Sequence, residues 1–373
     1  MHRVRVTKKN TIILCIALSC IIGCTKNNQE KKDIQRSFYM GFSTMSYEMS
    51  TIAVESTYDF ISTYSDIYSE QIEDPIPWEN LISNDSIPHS IKQDWYKRAA
   101  KKTSSQKLLL SVGLLNVGRT DLQISPEGNT PSYNKMYDSD IINAYTHYVS
   151  KLITIFNPDY VVLAMEVNDL LINAPEKWEE YKILISGIRE NIQKSFPNLP
   201  LSESVSLHNW VTHYKQNEHE VVEEIANYVN KNDFISISFY PFFKYMNTTS
   251  EFSEAFTFLQ KKSKKPIAIV ETNYITETLE LPSYNITIPA NETEQYLYLK
   301  TLLNTAQKDN YLCVIWWAHR DYDNMMSYYP YDLQELASIW LRSGLLTKDG
   351  KKREVFYLWE KWLKKAEYKI KPK

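Results

Sequence analysis

Two runs in this chain constrain its fold more than any other feature. Tyr160-Val161-Val162-Leu163-Ala164-Met165-Glu166 and Pro266-Ile267-Ala268-Ile269-Val270-Glu271 are each mostly apolar and each end in a carboxylate. A short run with no polar alternation reads as a strand buried on both faces, which is the position of a parallel strand covered by helices. Six further runs have the same character, and the eight predicted strands are 37–43, 66–69, 107–113, 160–166, 201–206, 234–240, 266–271 and 311–317. Between them lie segments of helical period, such as Trp178-Tyr181-Ile185-Ile188-Ile192, closed by the stop signal Phe196-Pro197-Asn198. Alternating strands and helices predict the α/β class, and eight such units predict a single (β/α)8 TIM barrel. An open doubly wound sheet is the competing fold. It would announce a glycine-rich phosphate turn after its first strand, whereas here that strand runs into Gly41-Phe42-Ser43-Thr44-Met45.

The N-terminus is expected to lie outside this fold. Arg3, Arg5, Lys8 and Lys9 precede an apolar run from Thr11 to Gly23 that stops at Cys24. The run is shorter than the ~20 residues a membrane-spanning helix needs, so it reads as a secretory signal. Its ending resembles a bacterial lipobox, which implies cleavage before Cys24 and lipidation of that residue. The expected organisation is a lipoprotein signal peptide over 1–23, a lipidated cysteine and tether over 24–35, and one catalytic domain over 36–373. The expected product is an exported cell-envelope lipoprotein held to the membrane by its lipid alone. Thr25 favours the outer membrane if the cell is Gram-negative. Cys15 and Cys20 leave with the signal, so Cys313 has no disulfide partner, and its apolar neighbours make it a buried strand residue.

Composition narrows the ligand. With 42 basic and 45 acidic side chains and a net charge of −3, the chain has no basic face for phosphate contacts, which argues against nucleic acid. The seven histidines form neither HxH nor HExxH, and no Gly-x-Ser-x-Gly elbow or Walker loop is present. No cofactor and no metal are expected, and a monomer acting on a carbohydrate is the simplest expectation.

In a barrel the active site lies at the carboxyl ends of the strands, so Glu166 and Glu271, closing the fourth and seventh strands, are the leading candidates. Two carboxylates facing one bond can cleave a glycoside, one protonating the leaving oxygen while the other attacks the anomeric carbon or activates water. A glutamate at an apolar strand end beside a second carboxylate is expected to have a raised pKa and to serve as the acid, while its better hydrogen-bonded partner stays ionised.

The motifs Pro158-Asp159-Tyr160 to Met165-Glu166-Val167-Asn168, Phe234-Ile235-Ser236-Ile237-Ser238-Phe239-Tyr240-Pro241-Phe242 and Ile269-Val270-Glu271-Thr272-Asn273-Tyr274 resemble the clan of retaining (β/α)8 glycoside hydrolases. Within it the likeness is to arabinogalactan endo-β-1,4-galactanases and their lipoprotein relatives. The resemblance implies a double displacement with Glu166 as acid/base and Glu271 as nucleophile. It further implies that Tyr240 hydrogen-bonds the nucleophile and that Trp316 and Trp317 floor the sugar subsite. One departure is evident: the clan places Asn directly before the acid/base, and this chain has Met165, with Asn168 as a candidate to compensate. Asn116 and Arg119 after the third strand, Trp78 after the second, His208 and Trp210 after the fifth, and His319 and Arg320 after the eighth are further candidates for the substrate-binding rim. Two rival readings use the same barrel: a catalytically degenerate carbohydrate-binding lipoprotein, motivated by Met165, and an interaction lipoprotein that uses only the scaffold.

Overall fold

The computed structural model describes residues 35–83 and 85–365. The expected signal peptide, Cys24 and most of the tether lie outside these residues. Among the described residues no helix is long and apolar enough to cross a membrane.

Eight parallel strands form the barrel: β1 (Tyr39–Ser43), β2 (Ile67–Ile72), β3 (Lys107–Val112), β4 (Tyr160–Val162), β5 in two segments (Leu201–Ser202 and Ser204–Ser206), β6 (Ile235–Phe239), β7 (Ile267–Thr272) and β8 (Cys313–Trp316). Each pairs with its sequence neighbours, and β1 pairs with β8 to close the ring. The ring is interrupted only at Glu203: the first segment of β5 pairs with β4 and the second with β6. Glu203 is buried and faces outward, where Arg189 and the Tyr228 hydroxyl donate to its carboxylate.

The principal helices covering the barrel are α1 (Thr51–Tyr64), α2 (His89–Ala99), α3 (Ser139–Phe156), α4 (Trp178–Ser195), α5 (His219–Val229), α6 (Thr249–Lys262), α7 (Glu292–Asp309) and α8 (Glu354–Leu363). Their starts follow local chemistry. Ser50 accepts a hydrogen bond from the Ala53 amide at α1, Thr248 and Glu251 form a reciprocal capping box at α6, and Asn291 accepts from the Glu294 amide at α7. On α4 the buried residues Trp178, Tyr181, Leu184, Ile185, Ile188 and Ile192 form the stripe predicted from periodicity.

Alternation along the strands divides the core into two layers. Outward residues join the large barrel–helix core, while Ile67, Leu109, Val162, Met165, Phe234, Ala268, Val270, Cys313 and Ile315 fill the barrel interior. Gly41 is required where β1 meets β2, because a Cβ there would lie 1.6 Å from the Ile67 carbonyl oxygen. Met165 therefore belongs to the interior packing. Burial raises the Cys313 thiol to about 12, so this residue is an inert filler of the barrel.

After β8 the chain returns to the barrel through a buried ion pair: Arg353 donates to both oxygens of Asp321 at 3.1 and 2.7 Å, and the Gly344 amide adds a third bond at 3.0 Å. Removing Asp321 leaves the buried guanidinium with Glu292, at 2.8 Å from Nε, as its remaining acidic partner. Asp321→Ala is therefore expected to lower unfolding free energy by about 3 kcal/mol, the lower end for a broken buried pair, read from urea denaturation midpoints.

Candidate active site

A β-bulge sets one side of the mouth. Along β7, Ala268 and Val270 point inward, so strict alternation would turn Glu271 out toward the helices. An extra residue at Val270 breaks the register: Ile237 opposes Ile269, but Ser238 opposes Glu271, and the pairing to β8 slips in the same way. The slip turns Glu271 into the barrel and Thr272 out, where the Thr272 hydroxyl contacts the Tyr298 hydroxyl of α7. Glu271 accepts from the Tyr240 hydroxyl on one oxygen and from Gln71 Nε2 at 2.7 Å on the other.

The opposite side is set by a turn. β4 ends at Val162, earlier than the predicted Glu166, because the chain leaves the ladder and passes through a left-handed residue at Glu166 itself, with φ 54°. A non-glycine residue in that region is strained, and it is held there by bonds to β5. The Glu166 amide donates to Ser204 Oγ at 2.9 Å, and the flanking Ala164 and Val167 bond to the Ser204 backbone. The Glu166 carboxylate accepts from Arg119 Nη2 at 2.9 Å, and Glu73 lies 3.6 Å from the same nitrogen.

Charge is crowded here. Contrary to the expectation that the better hydrogen-bonded glutamate stays ionised, burial together with the charges of Glu73 and Glu166 pushes Glu271 up to about 8 despite the Tyr240 and Gln71 bonds, which favour its ionised form. Burial and the Glu166 charge push Asp169 up to about 6, although Ser206 Oγ and Asn209 donate to it. Arg119 is held above its usual value because Glu166 and Glu73 outweigh the effect of burial.

These shifts have a consequence for stability. Burial and neighbouring charge raise Glu271 to about 8 in the folded protein, against an unperturbed value of 4.5. Between those values the folded state binds more protons, so this group's contribution is whole below 4.5 and is lost as pH rises toward 8. Glu271→Gln cannot ionise. The excess of its melting temperature over wild type is expected to grow as pH rises from about 5 to about 8, measured by differential scanning fluorimetry.

The remaining candidates divide. Tyr240 and Arg119 stand at the mouth, and Trp317 follows the end of β8 half-buried against Ala318, Tyr322 and Met325, its carbonyl accepting from the Ser43 hydroxyl. Trp316 lies in the helix layer: alternation turns it outward, where it is fully buried against Tyr298 and donates Nε1 to the Ser343 carbonyl at 3.0 Å. Trp78 is likewise buried, stacked on Tyr145 and donating to the Gln123 carbonyl at 2.6 Å. Asn168 is fully buried and its amide is used on Ser206, accepting from that residue's backbone N–H at 2.7 Å. It therefore does not compensate for Met165.

His208 sits behind Tyr240, ring centroids 6.3 Å apart, and burial holds it down to about 3, so it is a neutral packing group. Asn116 shapes the turn that presents Arg119, its Oδ1 accepting from the Thr120 amide at 3.0 Å and its carbonyl from Arg119 Nη1 at 3.0 Å. Trp210 and His319 are buried, and Arg320 lies 3.8 Å over the Tyr47 ring. The sequence reading missed Gln71 and Glu73. Its second strand stopped at Ser69 because Glu70-Gln71 interrupts the apolar pattern, yet β2 continues to Ile72 and carries both residues to the mouth.

A closed (β/α)8 barrel whose mouth brings together two glutamates from the ends of strands four and seven defines a glycoside hydrolase. The model of glycosyl hydrolase family 53 matches residues 122–349, and the chain belongs to that family. No curated protein matches it by sequence. Among solved structures, a GH53 catalytic domain from Ignisphaera aggregans superposes with TM-score 0.55 at 13% identity, covering 88% of this chain and 96% of that one. A GH5_18 protein from Bifidobacterium longum subsp. infantis gives TM-score 0.63 at 15% identity over 91% of this chain and 80% of that one. An exo-β-1,4-mannosidase from Opitutaceae bacterium strain TAV5 gives 0.62 at 11% over 87% of this chain, which spans 59% of the mannosidase's length. At these identities the likeness is one of fold.

Proposed function

We propose that this protein is a retaining glycosidase acting on a β-linked poly- or oligosaccharide, with Glu271 as nucleophile and Glu166 as acid/base. The observation that carries the reading is the pair of hydrogen bonds on Glu271: Tyr240 and Gln71 both donate to it, which orients one carboxylate and partly offsets the burial and charge that raise it to about 8, so the ionised nucleophile gains toward alkaline pH. Glu166, approached by solvent on the other side of the mouth, takes the proton-transfer role. Trp317 supplies an aromatic face for the sugar.

The family resemblance suggests β-1,4-galactan, and the fold likeness to a β-mannosidase adds β-mannosides to the candidates. The test is a panel of aryl β-glycosides and soluble β-glycans, with the first-formed anomer followed by proton NMR. An initial β product supports retention, and an initial α product overturns it. A carbohydrate-binding protein without turnover is the second reading, favoured by Met165, whose side chain fills the barrel interior and offers no bond to a sugar hydroxyl. In that case sugars raise the melting temperature with no product formed.

We also propose that residues 1–23 are a lipoprotein signal and that Cys24 carries the lipid that anchors the 36–373 domain. Loss of membrane association in Cys24→Ser, with activity recovered in the soluble fraction, tests this.

A further inference from the structure

Arg119 has two acidic neighbours on one nitrogen. Its Nη2 is bonded to Glu166 at 2.9 Å and stands 3.6 Å from Glu73, one small rotation short of a second hydrogen bond. Its other amino group is anchored to the Asn116 carbonyl at 3.0 Å, so the guanidinium can turn between the two carboxylates without leaving the loop. A guanidinium bond occupies a carboxylate oxygen with a donor and opposes a proton on it. The reading proposed above nevertheless requires Glu166 to protonate the leaving oxygen.

The geometry points to a partner exchange: Arg119 leaves Glu166 for Glu73 when substrate is seated, and Glu166, freed of the guanidinium and partly open to solvent, takes its proton from water, so that Glu73 is a positioning residue for the catalytic proton. This rests on the assignment of Glu166 as the acid. Charge and protons balance with the solvent as proton source. Before the exchange Arg119 is paired with Glu166, and afterwards it is paired with Glu73 while water supplies the proton that Glu166 carries. In the step that follows, the Glu166 O–H bond breaks and its proton joins the glycosidic oxygen. That oxygen keeps the electron pair of the broken C1–O bond, and a Glu271 oxygen donates the pair of the new bond to C1.

The surroundings suit the exchange. Glu73 faces Arg119, Glu166, Glu271 and the adjacent Asp74, while Glu166 also faces Asp169 and Tyr240. Three carboxylates share one guanidinium, and only Glu271 among them is buried, while Glu73 and Glu166 keep an edge to solvent. Burial raises Glu73, Arg119 lowers it and the charge of Glu166 raises it again, with a net upward shift.

The test uses leaving groups. Protonation matters for a poor leaving group and little for dinitrophenolate, so kcat/KM is compared for an alkyl and a 2,4-dinitrophenyl glycoside of the same sugar. In Glu73→Gln, Arg119 has no alternative anion. The alkyl glycoside is expected to lose about tenfold or more beyond any loss on the dinitrophenyl glycoside, and the alkaline limb of the pH profile to move down. Glu73→Asp restores much of the difference. Arg119→Gln is expected to move the same limb upward, which keeps the test open if Glu73→Gln folds poorly.

Equal losses on both leaving groups, or an unmoved limb in both variants, overturn the exchange. Failure of the glycosidase reading is read separately, by carboxyl carbon NMR titration of the wild type and Glu73→Gln. Coupled titration of Glu73 and Glu166 with no turnover rejects the glycosidase alone, whereas independent titration rejects the exchange whatever the activity.

Discussion

Glu271→Ala is expected to abolish hydrolysis, with kcat/KM falling by about 10⁴-fold or more, because the group that forms the covalent bond is removed and no neighbour can replace it. The outcome that assigns the role is chemical. With the carboxylate gone, a small anion fits beside C1 on the face that Glu271 occupied. Azide should restore turnover of a 2,4-dinitrophenyl β-glycoside and yield the α-glycosyl azide, identified by the anomeric proton coupling. A β-glycosyl azide, or full activity without azide, would remove Glu271 from the nucleophile position. The fold should survive the change, since burial and the charges of Glu73 and Glu166 already work against an ionised Glu271.

Glu166→Gln should behave differently. Loss of general acid catalysis is expected to cost about 10²- to 10⁴-fold in kcat/KM on an alkyl or oligosaccharide substrate, with a far smaller loss on the dinitrophenyl glycoside. The second half-reaction loses its general base, so the glycosyl-enzyme should accumulate and release a burst of dinitrophenol equal to the enzyme present. Azide, needing no base, then intercepts the intermediate and gives the β-glycosyl azide. Opposite azide anomers from the two variants would fix both roles in a single pair of measurements. The same anomer from both would dismantle the assignment.

The arrangement explains how a chain with Met165 can keep a functional mouth. Met165 packs with Val162, Ala268 and Ile315 inside the barrel, so it supports the floor beneath the glutamates and leaves the polar work to residues from other strands. Gln71 reaches Glu271 from β2, and Arg119 reaches Glu166 from the loop after β3. Gln71 comes from a strand two before β4 and Arg119 from the loop that follows β3, and neither position could be inferred from the motif around Glu166.

Local pattern alone determined a good deal. Apolar runs and helical periods are properties of single segments, so all eight strands, the helical stripe of α4, the barrel and the two glutamates near strand ends were legible in the sequence. So was Tyr240, through the resemblance of its motif. Where a side chain faces depends on neighbouring strands, and there the sequence was silent. One extra residue at Val270 turns Glu271 inward, and a left-handed turn held by Ser204 aims Glu166. Trp316 and Trp317 look equivalent as neighbours in one run, but the first is buried in the helix layer and the second packs with Ala318, Tyr322 and Met325 beyond the end of β8. Trp78 and Asn168 look available in a list of polar and aromatic loop residues, yet each is bonded to backbone that only the folded chain brings near. Segment identity follows from the periodicity of burial, whereas facing, pairing and charge crowding arise from contacts between distant residues that exist only once the barrel has closed.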